Sequence, residues 1–136
     1  MAFVLDPRLE AETLFAVSLP ICDVRVMNDA RYAWLIGVPR LAGATEWHDL
    51  HAQARMQTFA EVMALSHIVS ATEGVEKVNI GALGNIVRQF HVHIIGRKPS
   101  DPAWPGPVWG HSPAQPYETG AADALIQAVK RLLPWT

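Results

Sequence analysis

A chain of 136 residues, half of them apolar, is long enough to bury a core of its own and too apolar to stay disordered, so one domain over residues 1–136 is expected. Its 11 Lys and Arg against 13 Asp and Glu leave no bulk positive field for nucleic acid or an anionic membrane, so any nucleotide has to be held by a local site. Cys22 is the only cysteine, which excludes an internal disulfide and a cysteine-rich metal site and fits a reducing cytoplasm, the expected location.

Residues 1–10 carry acidic groups and no long apolar run, so neither a signal peptide nor a membrane anchor is expected there. No later apolar run is long enough to span a bilayer. Asp6-Pro7 has the chemistry of an N-cap and first helical position and predicts a short helix over residues 8–13. Residues 22–27 alternate apolar and polar, the pattern of a half-buried strand, and Asn28-Asp29 supplies a turn before an antiparallel partner over 32–38, stopped by Pro39. Cys22 then shares a face with Val24 and Val26 and reads as a buried structural thiol.

After a loop over 41–46, a long helix is expected at about 47–71, with Met56, Phe59, Val62 and Val69 as its inward stripe. His48, His51 and His67 fall on it without a His-Glu-x-x-His pattern and read as solvated or capping groups. Gly74 suits the C-cap. Residues 77–80 form a third strand and 86–95 a further one. Residues 99–116, rich in Pro, Gly and Trp, make an irregular cover, and a final helix is expected at about 118–133. The fold class is α+β: an antiparallel sheet of about five strands with one long helix across it and a C-terminal helix.

Within residues 89–97, Gln89, His91 and His93 alternate with Phe90, Val92 and Ile94. In a strand the first three point one way and the apolar three the other. A rise of about 3.3 Å per residue puts His91 and His93 roughly 6.5 Å apart at Cα, close enough to flank one phosphate. A lone His-Val-His is as readily a pair of partly solvated strand residues. Here, however, Gly84-Asn85-Ile86-Val87 precedes it, a turn whose glycine permits close approach and whose amides can face an anion, and a Trp-rich segment over 104–110 follows.

The run Gly84-Asn85-Ile86-Val87-Arg88-Gln89-Phe90-His91-Val92-His93-Ile94-Ile95 resembles the signature of the histidine-triad (HIT) family, in which three histidines alternate with apolar residues after a Gly-Gln-Ser/Thr-Val turn. Residues 28–40, from Asn28 to the ending Val38-Pro39-Arg40, look like the family's second hairpin, so the resemblance spans roughly 22–110. It is to a bacterial-type branch with Gln in the first triad position. It departs from the family pattern at Gln89, at Ile86 where a hydroxyl residue is usual, and at Trp34 where many members carry a further histidine.

The resemblance implies a nucleotide-binding hydrolase or nucleotidyl transferase of the phosphoramidase or dinucleoside polyphosphate hydrolase type, a homodimer without cofactor. His91 would be the nucleophile at the α-phosphorus, oriented by the backbone carbonyl of Gln89, and His93 would contact the phosphate and assist the leaving group. Gly84, Asn85 and Ile86 would hold phosphate oxygens through their backbone, and Asn28 and Asn79 match ribose-contacting positions. Two rivals have other chemistry. One is a nucleotide-binding module in which Gln89 and Ile86 have cost most of the catalysis. The other is a His-x-His metal site, which lacks an acidic third ligand in residues 94–100 and would need His111 or Asp101 folded back onto it.

Overall fold

The computed structural model describes residues 2–135; Met1 and Thr136, the ends of the expected domain, lie outside them. Asp6 accepts from the Arg8 amide at 2.8 Å and caps α1 (Pro7–Glu12). Strands β1 (Thr13–Ser18), β2 (Cys22–Met27) and β3 (Ala33–Pro39) follow, then a 3-10 turn (Trp47–Asp49), α2 (Ala52–Ser70), β4 (Lys77–Gly81), β5 (Val92–Arg97) and α3 (Asp123–Lys130). The strands form one antiparallel sheet in the order β1-β2-β3-β5-β4.

Each face of that sheet has its own cover. Leu35, Val92 and Ile94 meet the inner side of α2, and Val24 and Val26 belong to the same buried cluster. Trp34, Ile36, Val38 and Ile95 meet α1 and the segment after β5, through Leu9, Ala103 and Val108. Gly96 sets how closely the first cover approaches: a Cβ there would stand 2.7 Å from Val75 and 3.0 Å from Val69. Asp101 ties the second cover down. It accepts from Arg97 at 2.8 and 3.0 Å and from the amides of Lys98, Ala103 and Trp104 at 3.0, 3.1 and 2.7 Å.

Several expectations need correction. The long helix begins at Ala52, with His51 as its N-cap accepting from the Ala54 amide at 3.3 Å. Its inward residues are Ala54, Thr58, Glu61, Val62, Leu65 and Val69, whereas Met56 and Phe59 are 73% and 58% exposed. At 3.6 residues per turn the nine residues from Met56 to Leu65 amount to about two and a half turns, so the two point oppositely. Gly74 lies beyond the helix in a left-handed turn at φ +81°, after the C-cap Ala71. The C-terminal helix is shorter than expected because Gly120, at φ +82°, sits in a turn before it. β1 was not expected. A bulge between Phe15 and Val17 breaks the alternation that would reveal it.

Cys22 is fully buried beside Leu65 and Gly37, and burial, with the Glu61 carboxylate adding to it, pushes its thiol far above the ordinary value. Glu61 itself is fully buried on α2, where it accepts from the amides of Ile21 and Cys22 and from Gln57. It fastens the β1–β2 turn to the helix.

Candidate active site

The strand carrying the histidines starts only at Val92, because its last paired residues are Val92 against Gly37 of β3 and His93 against Gly81 of β4. Upstream of those pairs the backbone has no strand partner, so residues 86–91 do not extend the strand as the sequence predicts. His91 therefore leads into β5 and His93 lies within it. Their rings still converge, with centroids 4.8 Å apart, and both are buried at 4% and 5% exposure. Nδ1 of His91 lies 2.7 Å from the Gln89 carbonyl oxygen. A carbonyl only accepts, so this nitrogen carries the proton, and in a neutral ring Nε2 has the free electron pair.

Both rings line a cavity of about 760 Å³. Asn28, Asn85 and Ile86 line it too, Ile86 being 73% exposed. Gly84 stands just behind: a Cβ on it would fall 2.9 Å from the Val87 carbonyl and 3.9 Å from Cε1 of His91, so the turn closes against the ring only without a side chain. Asn28 uses its Oδ1 to accept from the Tyr117 amide at 2.9 Å. Asn79 is not brought to the cavity; its Oδ1 accepts from Arg97 at 2.8 Å. Asp101 and His111 do not join the histidines, the first being held by Arg97 and the second bonded to Ser112. Among the described residues no three His, Cys, Asp or Glu side chains gather to hold a metal ion.

The HIT domain model matches residues 8–100. The chain belongs to the HIT family. No curated protein matches it. Solved structures similar to this HIT chain include a histidine triad protein from Bradyrhizobium japonicum, 38% identical over 96% of this chain and 98% of that one, with a TM-score of 0.92. A second, from Sinorhizobium meliloti 1021, is 40% identical over 96% and 97% at the same TM-score. A third, from Marinobacter aquaeolei VT8, is 39% identical over 98% and 97%, again at 0.92. Membership puts the chain, at the level of the family, among nucleotide-binding hydrolases and transferases.

The side chains of Gln89 and Trp34 make bonds of their own. The side chain of Gln89 turns away from the cavity and clamps the N-terminal segment, its Oε1 accepting from the Asp6 amide at 2.9 Å and its Nε2 donating to the Val4 carbonyl at 2.8 Å. That clamp seats α1, whose Arg8 and Glu12 form part of the cavity wall. Trp34 donates its indole N–H to Nδ1 of His93 at 3.1 Å. Burial, and then the neighbouring His91, lower the His93 pKa to about 4.

The sequence reading missed two further wall residues, Asp29 and Arg31, whereas a third, Trp109, lies in the Trp-rich segment it had set beside the histidines. Asp29 and Arg31 form a two-bond ion pair at 2.9 Å. Burial works to raise the Asp29 carboxyl, but the Arg31 guanidinium and the amides of Arg31 and Gln115 outweigh it and hold it below the usual range. The third, Trp109, packs its ring 5.3 Å from that of His93, its edge 3.1 Å from where a Cβ on Gly81 would sit. Asp29 and Arg31, two residues apart after a strand, were the legible signal.

Proposed function

We propose that this protein hydrolyses, or transfers the nucleotidyl group of, nucleotide derivatives by attack of His91 on the α-phosphorus, through a covalent nucleotidyl-histidine. The observation that carries the reading is the 2.7 Å bond from Nδ1 of His91 to the Gln89 carbonyl. It fixes the tautomer whose Nε2 is nucleophilic near neutral pH without prior deprotonation. The backbone at Gly84, Asn85 and Ile86 supplies phosphate contacts, since Ile86 offers no hydroxyl. His93 contacts the departing group. Asn28 stands on the same cavity wall for the ribose, and Asn79, bonded to Arg97 away from the cavity, takes no part.

The protein acts as a homodimer in this reading, through α2, whose Met56 and Phe59 face outward. The test is a turnover screen of adenylyl and guanylyl phosphoramidates, sulfates and dinucleoside polyphosphates with wild type and His91→Ala, with trapping of a labelled nucleotidyl-protein. Turnover with a trapped label on His91 is the expected result. Tight nucleotide binding with neither turnover nor label would make the protein a binding module instead.

A further inference from the structure

Trp34 reaches His93 diagonally across the β3–β5 ladder, in which Ile36 pairs with His93 and Trp34 with Ile95. An indole N–H only donates and does not ionise in the working pH range, so Nδ1 of His93 must accept. The ring's single proton then sits on Nε2, 3.4 Å from the Leu83 carbonyl at the cavity wall. Around this ring stand His91, Trp34 and Trp109, with ring centroids at 4.8, 5.7 and 5.3 Å, and Gly81 paired across the strand. None brings a carboxylate. The acidic groups of the cavity wall have cations of their own, Asp29 on Arg31 and Glu12 on Arg8. A second proton on His93 would meet the indole N–H head-on and break a buried hydrogen bond. The low pKa of about 4 agrees with that geometry.

We infer that this site serves nucleotide derivatives whose leaving group departs as a stable oxyanion, a phosphate, sulfate or carboxylate joined to the α-phosphorus through a P–O bond, and serves alkyl phosphoramidates poorly, because Trp34 denies His93 the second proton that a general acid would give. The inference rests on the hydrolase reading above. In the first step the electron pair on Nε2 of His91 bonds to phosphorus. The P–O bond breaks, and its pair leaves on the oxygen, which His93 Nε2–H supports by a hydrogen bond without transferring its proton. Water then attacks phosphorus, the P–N bond to His91 breaks with its pair returning to Nε2, and the water's proton passes to solvent, leaving a nucleoside monophosphate. An alkyl amine leaves only once its nitrogen is protonated. His91 gives its own N–H to Gln89, and His93 has only the N–H of a neutral ring. Trp34 is thus a positioning residue that acts through His93.

The test uses matched adenylyl compounds, an acyl anhydride, a sulfate anhydride and an alkyl phosphoramidate, with wild type, Trp34→Phe and Trp34→His. Wild type should cleave the anhydrides with kcat/KM about 100-fold or more above the amidate, the span a general acid typically covers. Both variants should raise the amidate-to-anhydride ratio by about tenfold, whereas loss of packing alone would lower all substrates together. Nitrogen-15 NMR of ligand-free wild type reads the ring directly and needs no variant: His93 should stay neutral with its proton on Nε2 from about pH 5.5 to 8. A His93 protonating near its ordinary pKa, a proton on Nδ1, or amidate cleavage within about tenfold of the anhydrides would overturn the inference and leave the hydrolase reading standing. Cleavage of no compound in the panel would sink that reading and this inference together.

Discussion

His93 is held so that the folded chain excludes a proton the unfolded chain readily binds. Its pKa falls from 6.5 to about 4 on folding, so between those values the unfolded state carries more protons and stability rises with pH. The contribution is complete above the unfolded value, is lost as pH falls from 6.5 toward 4, and changes no further below. At about 1.4 kcal/mol per unit it reaches about 3 kcal/mol. Urea unfolding at neutral pH and near pH 4.5 should show this loss in wild type and a shallower one in His93→Gln. Activity sorts the same residues differently. His91→Ala should abolish turnover, and His93→Ala should cost about 10²–10³-fold, since it removes a hydrogen-bond donor from the charge that develops on the leaving oxygen. Gln89→Ala keeps the carbonyl that orients His91 and loses only the two side-chain bonds to the N-terminal segment, so it should cost no more than about tenfold. Equal loss at both histidines, dependent on added metal, would reject the covalent route.

Among the elements, the contact between α2 and β5 depends on a missing side chain. Gly96→Ala would press a methyl group to 3.0 Å from Val69 on α2 and 2.7 Å from Val75 just beyond it, and such overpacking should cost about 1–3 kcal/mol in chemical denaturation with the sheet retained. The strand over 22–27 was legible because its burial alternates and it is paired along its whole length, and the one expected at 77–80 is paired throughout. β1 was hidden by its bulge, where Ala16 and Val17 are both buried. The helix at 52–70 was visible as a helix but not in its phase: Met56 and Phe59 are apolar and face outward, while Thr58 and Glu61 are polar and fully buried. The expected stripe was therefore right at Val62 and Val69, which are buried, and wrong at Met56 and Phe59. Residues 86–91 fail as strand for a reason no local pattern carries, the absence of a neighbour to pair with.

For the whole molecule, the outward Met56 and Phe59 on α2 and the open edges at β1 and β4 are surfaces that a second copy would cover. Light scattering at micromolar concentration should give a dimer, and Met56→Asp with Phe59→Asp should give a folded monomer. A wild-type monomer would reject the assembly. The site was legible in the sequence where it is local, as in the histidine pair and the carbonyl two residues before His91. It was illegible where it joins distant segments: Trp34 and His93 stand 59 residues apart, and Gln89 and Val4 stand 85 apart. Only the sheet order and the path of the N-terminus bring those pairs together.

The five hydrogen bonds that converge on Asp101 bear on how a ligand is taken up. Burial works to raise its carboxyl, but Arg97 and the amides of Lys98 and Trp104 outweigh it and hold it below the ordinary value of 3.8, so the knot keeps its charge down to acid pH. The cover that carries Val108 and Trp109 is thus assembled before anything enters the cavity. Ordering a loop is one of the larger entropic penalties in recognition, and here it falls on folding instead of on binding. Calorimetric titration with a nucleoside monophosphate should accordingly give a small heat-capacity change, set by the apolar wall it covers and free of the large negative signature of coupled folding.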